Sequence, residues 1–404
     1  MRLIICDRTA EGQALCAKRI ENFSQADVEM LDLAIRLVLD KHVLNEIRQC
    51  DVLLIGSGLG EDGPVLARMA INQMPWLHVI MYVGDDFYSG SAFRQAHSAG
   101  VRKVLPDHSS PLDLLQELVS IHNEFRKEGR VREGRVVFVT HAKGGTGATT
   151  IAAGLGEVCS AKKKKTLLWD LDVETRDLCL GLMVNGSESK IVSSWVNGSR
   201  EVTRDSLTDA LVPLSQDVSV LMPPDSMAEA MDLVCHTDGI LIATRVLEIA
   251  RVMHDVVIID SGGRIGPAAG ALMRAADEVV IVIDDTTLGL TALDLYLNYV
   301  KTLVVDTNKL SFIINGFTGT LLAVPQIQSE LEIIHNLGEK PWRLPPVPFD
   351  SKGNAWPGSG RSIYALSQKS TRAAFEHISY ELGLTKKGGS ESESRKSGFW
   401  ERLL

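Results

Sequence analysis

Short apolar runs that end in an acid or a glycine recur along the chain, and stretches with helical spacing separate them. "RLIICD" (2–7) comes first, followed by "DVLLIGSGLG" (51–60), "LHVIMYVGDD" (77–86) and "VRKVLP" (101–106). Between them lie the helical patterns "PVLARMAINQM" (64–74), "GSAFRQAHSAG" (90–100) and "PLDLLQELVSIHNEF" (111–125). Apolar strands alternating with helices predict a parallel sheet built from βα units. This gives a first domain over residues 1–125. "RKEGRVREGR" (126–135) is charged, contains two glycines and lacks apolar periodicity, and reads as a linker. A second array starts at "VVFVT" (136–140), with further strands expected over 165–172, 218–223, 255–260, 278–284 and 310–315. "LTALDLYLNYVKTL" (290–303) repeats apolar residues at the i, i+3, i+4 spacing of an amphipathic helix, and "STRAAFEHISYEL" (370–382) closes the array. The second domain is therefore expected over 136–385, and a polar, low-complexity tail over 386–404 is expected to be disordered. The expected fold class is α/β, with two doubly wound domains and mostly parallel sheets.

Composition narrows the classes. With 404 residues, 45% apolar and 23% charged, the chain can build two or three packed domains. No run approaches the ~20 apolar residues needed to cross a bilayer. "MRLIICDRTAEG" puts Asp7 directly after a very short apolar run, so no signal peptide is expected. A net charge of −9 gives no global footprint for nucleic acid. Six scattered cysteines form no C-x-x-C pair, which argues against a disulfide framework or an iron–sulfur site and for a reducing cytoplasm. The lysine run "AKKKKT" (161–166) could meet an anionic surface, but it sits where a turn enters a strand and reads as a solvated turn.

The chemistry concentrates in "HAKGGTGATT" (141–150). A phosphate-binding loop reads G-x-x-x-x-G-K-[ST]. Here Gly147 is followed by Ala148 where the lysine belongs, then by Thr149 and Thr150, while a lysine stands earlier, at Lys143. The stretch joins an expected strand to an expected helix, the context such a loop requires. Gly144, Gly145 and Gly147, with Thr146 between them, would let backbone N–H groups turn around phosphate oxygens at a helix N-terminus. Thr149 stands at the Mg²⁺-ligand position. "LLWDLD" ends in Asp170 and Asp172, and "DVVIIDSGG" carries Asp260 where a strand meets a loop. In an open α/β sheet these acids project to the same rim as the loop, and carboxylates beside a triphosphate imply Mg²⁺ between them.

In this order, "KGGTGATT", "LLWDLDVETRDLCLGL", "DVVIIDSGGRIGPAAGALMRAADEVVIVID" and "FIING" resemble the ParA/MinD superfamily of deviant Walker A ATPases, over about 136–384. The resemblance implies ATP and Mg²⁺ as cofactors and a homodimer. It makes Lys143 the signature lysine that reaches a partner's nucleotide, and Asp172 the acid that positions the attacking water. It makes Asp260 the Walker B acid, with Thr149 and Asp170 beside the metal, and Asn315 the residue that reads adenine. Pro348 and Phe349, in "VPFD" (347–350), become part of the loop closing over the base. Ala148 departs from the pattern and removes a cation where charge develops in phosphoryl transfer, so hydrolysis is expected to be slow or lost. Ala142 replaces the first Walker glycine, a milder change.

The first domain resembles a response-regulator receiver. Gly56 stands where the phosphate-accepting acid belongs, Val83 at the hydroxyl position and Asp107 at the lysine position, leaving Asp7 alone of the acidic pocket. Without a nucleophile the acyl phosphate cannot form, and a docking or dimerising module is expected. A degenerate receiver joined to a ParA/MinD-type domain whose loop ends G-A-[ST]-T resembles the TadZ/CpaE family, which assists assembly of Flp (tight-adherence) pili. That resemblance implies a cytoplasmic, dimeric localisation factor at a cell pole, with pilus or secretion proteins of the inner membrane as partners. It implies membrane contact that is at most peripheral and no specific nucleic acid. "GFWERLL" at the C-terminus is expected to dock a partner or fray. The alternatives are an active partitioning or positioning ATPase acting on DNA or membrane, a response regulator with an ATPase output, and a metal-cluster carrier. Ala148 and the net charge, Gly56, and the unpaired cysteines respectively weigh against them.

Overall fold

In the computed structural model the described residues are 1–85, 90–128, 133–263, 266–303, 306–319, 321–335, 337, 343–359 and 363–386. The chain divides into two compact units, Met1–Arg132 and Glu133–Leu404.

The first unit contains strands β1 (Arg2–Asp7), β2 (Ala34–Leu39), β3 (Val52–Ile55), β4 (His78–Val83) and β5 (Lys103–Pro106). They form one sheet in the order β2-β1-β3-β4-β5, all parallel. This is the flavodoxin-type doubly wound order. Alternate residues feed opposite faces. Ile4, Cys6, Leu53 and Ile55 pack one core, while Leu3, Ile5, Val52 and Leu54 pack another beneath the helices Ala10–Glu21 and Pro111–Lys127. Burial on both faces explains why the strands read as unbroken apolar runs. Ser110 starts the Pro111–Lys127 helix with a capping box closed by Asp113.

The second unit contains β6 (Arg135–His141), β7 (Thr166–Asp170), β8 (Leu211–Pro213), β9 (Val218–Leu221), β10 (Val256–Asp260), β11 (Glu278–Ile283), β12 (Leu310–Phe317) and β13 (Val347–Pro348). Their order is β13-β12-β11-β6-β10-β7-β9-β8, and every pair is parallel except β8 with β9. Val137, Val139, Leu168, Ile258 and Val280 face the helices Ala148–Ala161 and Lys369–Glu381. Val136, Phe138, Leu167, Val257 and Ile281 face the opposite layer. The chain leaves β6 toward β7 on one side and leaves the adjacent β11 toward β12 on the other. This makes a topological switch point, where crevices open at the carboxyl ends of strands.

Several sequence expectations shift. Strands β2, β8 and β13 have no counterpart among the expected ones. The strand expected over 165–172 stops at Asp170, which leaves Asp172 in the following turn. The run expected over 51–60 is a strand only to Ile55, because Ser57–Leu59 forms a 3₁₀ turn. The stretch that reads as a linker is helical through Lys127 and is strand from Arg135. The lysine run at 162–165 follows the end of the Ala148–Ala161 helix, with Lys162 and Lys163 exposed. Among the described residues no helix is long and apolar enough to cross a membrane. "GFWERLL" and nearly all of the expected tail lie outside the described residues.

Candidate functional site

β6 delivers the chain into the glycine loop, and the Ala148–Ala161 helix leaves it. Gly147 caps that helix at φ 87°, in the left-handed region. A Cβ on Gly147 would meet the Asn315 side-chain nitrogen at 2.2 Å, so only glycine fits. Asn315, on β12, donates its Nδ2 hydrogen to the Thr146 carbonyl oxygen at 2.8 Å. The asparagine expected to read a base is therefore tied to the loop itself. The loop borders a cavity of about 490 Å³ lined by Gly145, Gly147, Ala148, Thr149 and Thr150 and by Trp356. The first N–H groups of a helix lack intrahelical acceptors and favour anions. Ala148 is buried, its methyl packed into the core with Ile151 and Ala152, and it offers the cavity no charge.

The acids arrive from neighbouring strands. Asp260 and Asp170 end β10 and β7 as direct register partners, and both are fully buried. Asp170 accepts the N–H groups of Asp172 (3.0 Å) and Cys179 (2.9 Å). Among the described residues no donor meets either carboxylate oxygen of Asp260 in hydrogen-bonding geometry, although the Thr149 side chain and the Gly262 N–H stand beside it. Burial first, and then the charge of Asp170, pushes the Asp260 carboxyl well above the usual carboxylate range, while the Thr149 side chain facing it opposes the shift. Asp170 is likewise raised, chiefly by burial, against the pull of its Cys179 contacts. A bare, buried carboxylate is costly unless a cation neutralises it. Two carboxylates and a threonine hydroxyl make an oxygen donor set that suits Mg²⁺. These residues fit the metal that the sequence resemblance implies.

Asp172 sits past the end of β7 in its own turn. It accepts N–H groups from Glu174 (3.3 Å) and Thr175 (3.2 Å) and the Thr175 hydroxyl hydrogen. Gly262 presses against it, and a Cβ there would lie 2.5 Å from the Asp172 carboxyl carbon. His141 lines the cavity, and burial lowers its pKa while Asp172 and Asp177 oppose that.

Lys143 is engaged within its own chain. Its Nζ lies 2.6 Å from Asp284 Oδ2, just beyond β11. Asp284 also accepts the Thr286 hydroxyl at 2.6 Å. Burial pushes the Asp284 carboxyl up, yet bonds from Lys143 and Thr286 hold it below its ordinary value. Pro348 pairs with Phe317, and Phe349 is 56% exposed; neither lines the cavity. Asp350 anchors that segment by accepting the N–H groups of Lys352, Gly353 and Gln368 and the Thr371 hydroxyl. Asp284, Trp356 and His141 are site residues that sequence reasoning missed. Asp284 has a sequence signal, since the β11 run ends in two aspartates. Trp356 has none, because only tertiary folding brings it to the loop.

Residues 134–312 match the AAA domain family. The septum site-determining protein MinD of Thermotoga maritima is 26% identical over 207 residues, half of this chain and 72% of that protein. Escherichia coli MinD is 29% identical over 149 residues, covering 36% of this chain and 52% of that protein. Buchnera aphidicola MinD is 28% identical over a similar stretch, and the chain thus spans about half the length of several curated relatives it matches. Among solved structures, the Pyrococcus furiosus cell division ATPase MinD superposes with a TM-score of 0.50 at 20% identity, over 62% of this chain and 98% of that one. A ParA family ATPase of Chlorobium tepidum does so with a TM-score of 0.50 at 19% identity, over 61% of this chain and 98% of that one. The AAA domain match, the MinD relatives and a fold shared with MinD and ParA structures together support the ParA/MinD superfamily for the second unit of this chain.

Proposed function

We propose that the chain is an ATP-binding positioning or partitioning protein of the ParA/MinD type that works as a homodimer and hydrolyses ATP slowly or not at all. The observation that carries this reading is the orphaned, buried Asp260 carboxylate beside Thr149, at the foot of a glycine loop that opens on a cavity. A metal–phosphate complex is the ligand that such a carboxylate and such a loop jointly suit. The ATP complex solved for a Cyanothece McdA variant, a protein of similar fold, agrees with that choice. Lys143 through Thr150 would hold the phosphates, with Mg²⁺ at Thr149, Asp170 and Asp260. Asp172 would orient water if turnover occurs, and Asn315, Pro348 and Phe349 would lie on the base side. When bound, Mg²⁺ would supply charge neutralisation between phosphate and carboxylates.

The finer reading is a TadZ/CpaE-like localisation factor for Flp pilus assembly, cytoplasmic and held at a pole through protein partners at the inner membrane. Its support is the pairing of the two units with the G-A-[ST]-T loop ending. The first unit is read as a receiver-like docking or dimerising module. The strand order β2-β1-β3-β4-β5 agrees with that, and Gly56 and Val83 leave it no phosphate chemistry. Asp107 pairs with Arg19 at 3.1 Å. A partitioning ATPase acting on DNA or membrane is the second reading, favoured by the MinD relatives.

Calorimetric titration of the full-length protein with Mg²⁺–ATP, beside Lys143→Ala, tests the nucleotide reading. Binding by the wild type supports it, and no binding in either protein overturns every nucleotide role assigned to these residues. Loss of Flp pili in a deletion strain, restored by the gene, tests the finer reading. Normal pili in that strain would overturn it.

A further inference from the structure

We propose that Trp356 positions the Thr150 hydroxyl as a hydrogen-bond donor to a bound nucleotide phosphate, an assignment that rests on the nucleotide reading above. Trp356 lies beyond residues 134–312, the segment that matches the AAA domain family. It nevertheless reaches the glycine loop. Its indole Nε1–H donates to Thr150 Oγ1 at 3.0 Å, in the first turn of the Ala148–Ala161 helix. Trp356 is 3% exposed, and it and Thr150 both line the cavity.

The direction of this bond is fixed by chemistry. An indole N–H can only donate, so the Thr150 oxygen must accept. A threonine hydroxyl that accepts keeps its own hydrogen for another acceptor. One candidate is the carbonyl four residues back, the usual resort of a helical threonine. Among the described residues Thr150 makes no such back-bond, while Thr146 O accepts the Asn315 amide at 2.8 Å. Thr150 lines the cavity, and a phosphate oxygen bound there would take that hydrogen. With Ala148 supplying no ammonium, neutral donors of this kind carry more of the phosphate binding than they would in a loop with its lysine.

Trp356 is itself held in place. Its N–H bonds the Gly353 carbonyl at 3.0 Å, and its carbonyl accepts the Ser359 hydroxyl at 2.6 Å. The ring lies over Gly181, where a Cβ would come 2.5 Å from the indole, and Gly358 N–H bonds the Gly181 carbonyl at 2.9 Å. The indole thus packs against Gly181, itself part of the cavity lining, with its N–H given to Thr150.

The test is a double-mutant cycle on the full-length protein, read as the dissociation constant for Mg²⁺–ATP by calorimetry. Thr150→Val removes the hydroxyl at constant shape, and Trp356→Phe removes the N–H while keeping a ring. A hydrogen bond to a charged group supports an expected loss of about tenfold for either single variant. The double variant should bind no more weakly than Thr150→Val alone, because Trp356 acts through that hydroxyl. A wall residue acting only by shape would weaken binding equally in both backgrounds, and that result overturns the proposal, as does wild-type affinity in Trp356→Phe. Should Trp356→Phe unfold, the isotope-labelled wild type decides. Its Trp356 indole N–H resonance is expected to shift with Mg²⁺–ATP and to stay fixed with adenosine, and no shift with ATP overturns the assignment. Binding by the wild type with a failed cycle sinks this inference alone. No binding by the wild type sinks the nucleotide reading and this inference together.

Discussion

Lys143 and Asp284 form an ion pair inside one chain, Nζ to Oδ2 at 2.6 Å, so the lysine at the head of the glycine loop is held toward the end of β11. A lysine that must reach a second subunit's nucleotide has to leave this pair first. Asp284→Ala is therefore expected to favour the Mg²⁺–ATP-dependent dimer. The pair is partly exposed, and such pairs contribute roughly 1 kcal/mol or less, so the dimer dissociation constant should fall by no more than about fivefold. Sedimentation with and without Mg²⁺–ATP measures this. A weaker dimer in the variant would mean that Asp284 shapes the loop rather than restraining the lysine.

Asp260 should make the metal-free protein less stable as pH rises. Its carboxyl is raised by burial and by Asp170. A raised acid keeps its proton in the folded state while the unfolded chain loses it near pH 4, so the unfolded state binds fewer protons. The associated stability is complete below about pH 4 and is lost as pH climbs through the raised native value. Asp260→Asn cannot ionise and should flatten that fall. At pH 8 without metal its melting temperature should exceed the wild type's by a few degrees, a gain of about 1–3 kcal/mol. Added Mg²⁺ with nucleotide should stabilise the wild type and leave the variant unmoved. Thermal melts at pH 5 and pH 8 decide the matter, and a parallel pH dependence in the two proteins would mean that Asp260 does not titrate between them.

The strands that set the site are legible in the sequence because burial on both faces leaves long apolar runs, and their terminal acids mark the rim. β2 is not, because it is an edge strand: Ala34–Leu37 are exposed and Arg36 interrupts the pattern to pair with Glu46 at 2.5 Å. β8 and β13, of three and two residues, are too short for any period to register. Asp172 reads as a strand residue because i, i+2 spacing looks the same in a strand and in a turn. The Lys143–Asp284 and Trp356–Thr150 contacts join residues 141 and 206 positions apart, and no local pattern encodes such pairings.

In the first unit Gly56 is explained by Asp7. The Asp7 side chain is buried and accepts N–H groups from Gly58 at 3.2 Å and Thr9 at 3.3 Å. A Cβ on Gly56 would lie 2.0 Å from its Oδ2. The carboxylate thus fills space that a side chain at position 56 would need. Gly56→Ala is expected to destabilise the unit by about 1–3 kcal/mol, as overpacking does. Asp7→Ala should absorb most of that loss in the double variant, since it vacates the contested space. Denaturant unfolding of the four proteins gives the coupling. An additive outcome would show that Gly56 is small for some other reason.

Restoring the missing cation is the most direct probe of the loop. Ala148 borders the cavity, so a lysine there has about 490 Å³ into which to extend its stem. Its backbone already has the helical conformation of the first turn, where lysine is well tolerated. The cost is local: the methyl packs against Ile151 and Ala152, and an ammonium without phosphate would sit beside buried apolar surface. Ala148→Lys should therefore lower the melting temperature without ligand and recover it with Mg²⁺–ATP. Removing one preorganised charge or donor from a transition state typically costs a factor of about 10²–10³ in rate. Supplying one should raise ATP turnover at least about tenfold, provided Asp172 is intact, and Ala148→Lys with Asp172→Ala should fall back to the wild-type rate. Phosphate release from the wild type, the single variant and the double variant measures this. A rise that survives the loss of Asp172 would place the water-orienting group elsewhere, and no rise at all would mean that more than the lysine has been lost from the reaction.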